Sequence, residues 1–475
     1  MKNSIIINCS LVLFVLCVLV RPVWSDCLEK KNRLRSNNNN GFQVTYFDSY
    51  KIVKNIRADE IYVLYCTSQP PNDTNLPGNV KGYFQIPITN VASLDQTTIT
   101  YLEILGVQSS LRYVAEKNSI TSPCLHSNET IQTFSESSNL ENVDIVFTST
   151  PLTGSKYVTI SMGDDLSPLS NSEWIKFVSV FYNREIEADS AYSNIETVYN
   201  CNTNNLNNIP QDSKKLIAWV SYDFDNSSFT ISGDNYHSWL IKNAGANLPN
   251  EKTIIVSDLK ELHDIIDKVD FIIDQTKFSS NNNTFDNWQR IFGYHGVTSN
   301  IPKFITFHQV FRPGKVLNSF GYNDWTEKVL ARPDFALLDL ISMQYPQYLS
   351  SYFKIWLNNF SNSDEPIILT DEDCEGFNNN STTTTFTKCE KQKFTGDGDD
   401  DDDNNGDNNN KGRNSAVIII VCSILAGLAG FGMGICLLLW ARRKYEERFV
   451  ELKDEPEVQM EKVDEEKGNI NGNSN

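Results

Sequence analysis

The chain reads as an α/β protein whose two lobes, with mainly parallel sheets, are joined by one long helix and followed by a single transmembrane helix. Three observations predict this. Strand-like and helix-like runs alternate between residues 90 and 345, a helical apolar periodicity runs from Ser172 to Asn200, and an uncharged stretch spans Ser415 to Trp440. Alternating strands and helices favour parallel pairing, because each helix carries the chain back to the start of the next strand. With 40% hydrophobic and 11% aromatic residues, the chain has the material for packed cores.

Taken in order, Lys2, the apolar run Leu11–Val20 and the small residue Ser25 form a charged start, a short greasy segment and a cleavage point. Residues 1–25 are therefore expected to be a secretory signal. A polar segment, 26–41, leads into an N-terminal α/β lobe over 42–171. Its strand signals are Phe42–Phe47, Tyr50–Ile56, Ile61–Thr67, Asn90–Leu94, Glu141–Thr148 and Tyr157–Ser161, and Thr97–Leu105 is helical and stops at Gly106. The linking helix is placed at 172–200. Trp174, Phe177, Val178, Phe181, Ala188, Tyr192, Ile195 and Tyr199 recur at helical steps, and Ser170 with Glu173 makes a capping box. At 1.5 Å per residue it would reach about 43 Å.

The C-terminal lobe, 201–361, restarts the rhythm. Lys215–Tyr222, Thr253–Val256, Phe271–Asp274 and Phe304–Phe307 read as strands; Tyr236–Asn243, Leu259–Ile266 and Asp334–Tyr345 read as helices. Residues 362–414 form a polar, acidic stalk with seven aspartates between Asp397 and Asp407, too charged to bury a core. Residues 415–440 would span about 39 Å as a helix, enough for a bilayer. Arg442, Arg443 and Lys444 follow at once and mark the cytoplasmic side, so 441–475 is the cytoplasmic tail. The expected product is a single-pass type I membrane protein with an extracellular or lumenal ectodomain. Ala426, Gly430 and Gly434 line up small residues that allow a helix-mediated homodimer, although glycine is common in such spans anyway.

Six cysteines fall outside the signal and the span: Cys27, Cys66, Cys124, Cys201, Cys374 and Cys389. In an oxidising compartment an even number points to three disulfides, with fifteen possible pairings. Cys374–Cys389 is the expected local loop, with Cys27–Cys66 and Cys124–Cys201 as the complement. N-glycosylation sequons stand at Asn72, Asn128, Asn226, Asn282, Asn359, Asn379 and Asn380.

Net charge is −19 and no basic stripe is present, which excludes nucleic acid as a partner. The chain has no GxSxG elbow, HExxH, Walker A loop or dinucleotide GxGxxG, so no catalytic residue, cofactor or enzyme activity is expected. The five histidines (126, 237, 263, 295 and 308) show no paired helical spacing, and no metal site is assigned.

The ordered stretches Val91-Ala92-Ser93-Leu94, Tyr101 to Val107, Asn142 to Phe147, Ser167 to Phe177, Ser232 to Tyr236, Lys242 to Ala246 and Arg332-Pro333-Asp334-Phe335 with Asp339-Leu340 resemble one family. It is that of the solute-binding proteins of bacterial ABC importers, in the class with a single rigid linking helix that includes siderophore, haem, cobalamin and metal binders. The likeness covers residues 80–350 and lies in the ordered set rather than in any one motif. It implies capture of a small ligand, such as an iron chelate or corrinoid, with small lobe movement. A stalk and a span replace the family's usual soluble or lipid-anchored form, which puts delivery to an importer in doubt. The alternative is a non-catalytic adhesion or recognition glycoprotein with a degenerate cleft.

Ligands of open α/β sheets sit at the carboxyl ends of the strands. The loops there nominate Glu116, Tyr222, Asp274 and His308 as cleft-lining, with Trp219 as a stacking surface. Capture by two lobes further requires Asn171–Cys201 to form one unbroken strut between two separate sheets.

Overall fold

The computed structural model describes residues 33–34, 41–74, 76–135, 140–278, 283–374 and 387–396. The expected signal, span and tail, most of the stalk, and Cys27, Asn282, Asn379 and Asn380 lie outside the described residues. Among the described residues, no helix is long and apolar enough to cross a membrane.

The first lobe opens with strands β1 (Phe42–Tyr46), β2 (Tyr50–Asn55), β3 (Glu60–Tyr65) and β4 (Val80–Gln85), a sheet of its own in that order. Alternation in β1 buries Phe42 and Val44 and exposes Gln43 and Thr45. A second sheet follows from β5 (Val91–Ser93), α1 (Gln96–Ile104), β6 (Leu111–Val114), α2 (Pro123–His126), β7 (Gln132–Thr133), β8 (Ile145–Thr148) and β9 (Tyr157–Thr159). Its order is β7-β6-β5-β8-β9 and every pairing is parallel. Both sheets share one apolar core with Trp174, Phe177 and Phe181.

The linker departs from expectation. In place of one helix there are three: α3 (Pro168–Ser172), α4 (Trp174–Ser179) and α5 (Glu185–Leu206). The stretch Asn171–Cys201 is thus broken, and the cause is a side chain from β2. The buried Lys51 ammonium takes hydrogen bonds out to Val180 O at 3.0 Å, Asn183 Oδ1 at 2.8 Å and Glu185 Oε1 at 2.5 Å. A cation at the carbonyl end of α4 replaces the next helical turn, and Asn183 turns left-handed at φ 55°. The bridging role passes to α5. Its 22 residues reach about 33 Å. Ala188 and Ala191 enter the first core, and Val198, Tyr199 and Leu206 enter the second.

The second lobe contains β10 (Ile217–Asp223), β11 (Ser228–Ile231), α6 (Asn235–Asn243), β12 (Ile254–Val256), α7 (Leu259–Ile266), β13 (Phe271–Asp274), α8 (Phe285–Ile291), α9 (Lys303–Thr306), β14 (Val310–Arg312), β15 (Val316–Asn318), α10 (Asp324–Lys328), α11 (Pro333–Gln344), β16 (Asn358–Asn359) and β17 (Ile367–Leu369). The six-stranded sheet runs β12-β11-β10-β13-β14-β16. Only its centre is parallel, where β13 pairs with β10 and β14; the outer pairings are antiparallel. β11 was not expected. It forms a hairpin with β10 through a turn in which Ser227 takes φ 49°.

The five-stranded sheet of the first lobe and the six-stranded sheet of the second stay separate. Two disulfides correct the expected pairings: Cys124 bonds Cys374, and Cys201 bonds Cys389. Cys66 is disulfide-bonded as well, to a cysteine outside the described residues. Neither the Cys374–Cys389 nor the Cys124–Cys201 pairing forms. The reason is that part of the expected stalk packs against the fold. β17 pairs with β15, while residues 387–396 return to α5, where Asn205 Nδ2 donates to Glu390 O at 2.8 Å and Phe394 lies against Tyr345 and Tyr348.

Candidate functional site

β13 and β14 end side by side, and their last residues are Asp274 and Arg312. Phe271, Ile272 and Ile273 fix β13 in the core, so its carboxyl end delivers a carboxylate that is itself fully buried. A charge there needs a partner. Arg312 donates from Nε at 2.7 Å and Nη2 at 2.5 Å to Asp274 Oδ2, and Thr276 Oγ1 donates to Oδ1 at 2.5 Å. The guanidinium also bonds Asn283 and lies between the rings of Phe360 and Phe278, 3.6 and 4.6 Å from their centroids. Burial pulls the Arg312 pKa down, and the Asp274 charge opposes this.

Above this pair opens a cavity of about 840 Å³. Its walls include Gln275 to Phe278 after β13, Pro313 and Gly314 after β14, Trp325 and Val329 from α10 and its C-terminal extension, and Asn358 of β16. The start of α6 supplies Tyr236 and His237. Asp234 caps that helix by accepting from His237 N at 3.0 Å, and the same carboxylate holds His237 Nδ1 at 2.7 Å. Burial works to raise Asp234, but these hydrogen bonds outweigh it and hold the carboxyl below its usual range. Gly233 is required just before the cap, because a Cβ there would stand 2.4 Å from the Lys252 backbone.

From the first lobe, Asp164 reaches the cavity wall. Its loop is tied to α6 by Tyr236 N donating to Asp164 O at 2.9 Å and Asn235 Nδ2 to Asp165 O at 2.7 Å. Burial pushes the Asp164 carboxyl up; His237 pulls it down, and Asp234 and Asp165 add to the rise. Two buried wall residues carry polar atoms with no hydrogen-bond partner among the described residues, Tyr236 Oη and Asn358 Oδ1. Such groups cost roughly 1–3 kcal/mol each unless something pairs with them.

The rest of the crevice between the lobes is filled. α10 packs on α1: Thr100 Oγ1 donates to Glu327 O at 3.0 Å, Thr121 N to Glu327 Oε2 at 2.7 Å and Thr121 Oγ1 to Asp324 Oδ1 at 2.8 Å. Lys328 Nζ bonds Asp324 Oδ1 at 2.5 Å, and Asn318 Nδ2 reaches Asn118 O and Ile120 O across the same junction. Cys124–Cys374 closes it covalently beside Thr121.

Of the residues nominated from sequence, Asp274 lines the cavity. Trp219 lies one layer behind the wall, buried, with its ring 4.6 Å from His237 and 5.7 Å from Trp325. Tyr222 packs against Phe224 and Phe229 instead. Glu116 is exposed and caps a short turn by accepting from Asn118 N. His308 is exposed at φ 54° and precedes β14, which puts it at the opposite end of the strand from the cavity. The expected strand Phe304–Phe307 is the helix α9, and that shift of register misplaced the histidine. Tyr236, His237, Arg312, Trp325, Asn358 and Asp164 were not nominated. The Ser232–Tyr236 stretch held the usable signal, a Gly-Asp cap leading into an aromatic residue. Among the described residues, no group of three or more His, Cys, Asp or Glu side chains is arranged to hold a metal ion.

No protein-family model matches the chain, and no curated protein matches it. Solved structures similar to it include a periplasmic binding protein from Veillonella parvula, 13% identical over 65% of this chain and 99% of that one, with a TM-score of 0.41. A periplasmic heme-binding protein from Pseudomonas aeruginosa is 12% identical over 59% and 99%, with a TM-score of 0.41. Helicobacter pylori CeuE with Ni(II) bound is 13% identical over 57% and 88%, with a TM-score of 0.39. At these scores the likeness carries no argument about what this chain binds.

Proposed function

We propose that this chain is a non-catalytic, membrane-anchored surface glycoprotein whose two-lobed ectodomain captures a small organic ligand, an iron chelate, a corrinoid or a molecule of that size. The observation that carries the proposal is the cavity at the carboxyl ends of β13 and β14. It has a volume in the range of small-molecule sites, and its wall mixes aromatic, amide and charged side chains from both lobes. The broken Asn171–Cys201 stretch fails the requirement for capture between two lobes on one strut, so the reading rests on the cavity alone, and the lobes do not close like jaws around it. The filled α1–α10 junction and the Cys124–Cys374 bond hold them in one relation, so capture works by entry into a preformed site.

That same filled junction favours a second reading, a recognition scaffold in which the ancestral cleft no longer works. Thermal unfolding of the purified chain, followed by tryptophan fluorescence, separates the two. A ligand that binds only the native state raises its stability by about 2.7 kcal/mol at a hundred times Kd. The expected result is a higher Tm with at least one of a ferric hydroxamate, a ferric catecholate, haem, cobalamin or Ni²⁺, reduced in Asn358→Leu. An unchanged Tm across the panel supports the scaffold.

A further inference from the structure

The break between α4 and α5 brings together three side chains whose chemistry goes beyond ending a helix. Lys51 and Glu185 are both 1% exposed and lie 2.5 Å apart, Nζ to Oε1. Nζ also lies 2.8 Å from Asn183 Oδ1, a residue 132 positions away in the chain. A carbonyl bond of about 1.23 Å, met by a hydrogen bond at an obtuse angle, places Nζ about 3–4 Å from the carboxamide carbon Cγ. That is close to the separation at which a nucleophile reacts with an electrophile held beside it. The Tyr46 ring, centred 5.8 Å from Nζ, covers one side of the cluster.

A buried ion pair and its neutral form differ by one proton. Burial pulls the Lys51 pKa down against the effect of the Glu185 charge, and burial pushes the Glu185 carboxyl up against the effect of Lys51. Both directions favour moving the proton across the 2.5 Å contact, which leaves an amine beside a carboxylic acid. A desolvated lysine amine is a nucleophile, and a carboxylic acid next to it can carry protons between an attacking and a leaving nitrogen. The second carboxyl oxygen of Glu185, Oε2, is buried with no hydrogen-bond partner among the described residues, so an atom remains for that transfer. Asn183 is half-buried at φ 55° and precedes the exposed Arg184, which gives a small leaving molecule a way to solvent.

We propose that Lys51 and Asn183 join in an intramolecular amide bond, made by the folded protein on itself, with Glu185 as the proton carrier. Lys51 Nζ attacks Asn183 Cγ. The Nζ–Cγ bond forms, the Cγ–Nδ2 bond breaks, and Nδ2 leaves as ammonia. Glu185 takes one proton from Nζ and gives one to Nδ2, so it begins and ends as the acid. The exchange is redox-neutral and needs no co-reactant. It replaces a buried ion pair by neutral groups, which removes the cost of holding two charges away from water. It also closes a covalent loop that contains β3 to β9, most of the first lobe. This modification is independent of ligand capture.

Peptide mapping of the full chain by mass spectrometry tests it. The protein is reduced, denatured and digested with trypsin, which does not cleave after an acylated lysine. The expected product is residues 36–54, uncut at Lys51, joined to residues 177–184 and lighter than the two peptides together by about 17 Da, one ammonia. Asn183→Gly suits the left-handed backbone and removes the acceptor, so the linked peptide should vanish. Glu185→Gln keeps both partners and removes the proton carrier, and the linked fraction in freshly purified protein should fall about tenfold or more. Recovery of 36–51 and 177–184 from the wild type as separate peptides overturns the bond and leaves an ion pair. A linked peptide of unchanged yield in Asn183→Gly overturns Asn183 as the acceptor, and one in Glu185→Gln overturns the role given to Glu185. The wild-type map decides the bond by itself even where a variant fails to fold.

Discussion

Glu327 offers a quantitative test of the sealed junction between the lobes. Its side chain is fully buried, its Oε2 accepts from Thr121 N at 2.7 Å, and its Oε1 has no partner among the described residues. Burial is the main cause that pushes its carboxyl up to about 8; Lys328 pulls it down, and Glu103 and Asp324 add to the rise. A carboxyl with a raised folded pKa contributes stability that is fully present below its unfolded pKa. That contribution is lost as pH rises toward the folded pKa. At about 1.4 kcal/mol per unit, the wild type loses about 3 kcal/mol from this group between pH 4.5 and 7. Glu327→Gln keeps the shape and removes the titration. Urea unfolding from pH 5 to pH 9 should therefore show the wild type falling more steeply than the variant, with the gap widening until pH 8 and constant beyond. Because every other titrating group is common to both proteins, the difference isolates Glu327. Parallel curves, or a gap that widens toward acid, would refute the idea that a neutral carboxyl seals this junction.

Other outcomes follow from the same geometry. Arg312→Leu strands the buried Asp274 carboxylate and should cost about 3–5 kcal/mol in denaturant unfolding, whereas Arg312→Leu with Asp274→Leu should cost less than the single change. Cys124→Ser removes a cross-link between positions 250 residues apart and should lower stability by about 2–5 kcal/mol, with non-reducing peptide mapping showing Cys201–Cys389 intact. Asn359 donates its amide to His308 O at 2.8 Å and caps the following turn with its carbonyl oxygen. Asn359→Gln should accordingly leave electrophoretic mobility unchanged, while Asn72→Gln, at an exposed sequon, removes the mass of one glycan; a mobility shift for Asn359→Gln would contradict this. Lys51→Met leaves Glu185 without its buried cation and should cost several kcal/mol of stability, and an unaltered unfolding curve would remove Lys51 as the cause of the break between α4 and α5.

Local pattern was enough for many of the elements. Alternation marks β1, apolar runs mark β3 and β8, and Asp95, Asp234 and Asp258 announce helices α1, α6 and α7 because a carboxylate that satisfies free N–H groups acts within one turn of its own position. Each of these signals is read by neighbours close in the chain. Separate sheets in two lobes were foreseeable from the same rhythm.

What only the tertiary structure decided depends on groups far apart in sequence. The apolar periodicity of Trp174 to Tyr199 fits one helix as well as two, and Lys51, 129 residues before Val180, breaks the tie. Cysteine pairing depended on whether residues 362–396 leave the fold or pack on it, and Cys374 and Cys389 part because each follows a different neighbour back to a lobe. Asp274 was legible because it ends an obvious strand. Tyr236, Arg312 and Asp164 were not, because their place in the cavity is set by which strands adjoin and by how a first-lobe loop rests on α6. Burial and electrostatic partnership are properties of that arrangement in space, and one-dimensional order does not encode them at any fixed spacing.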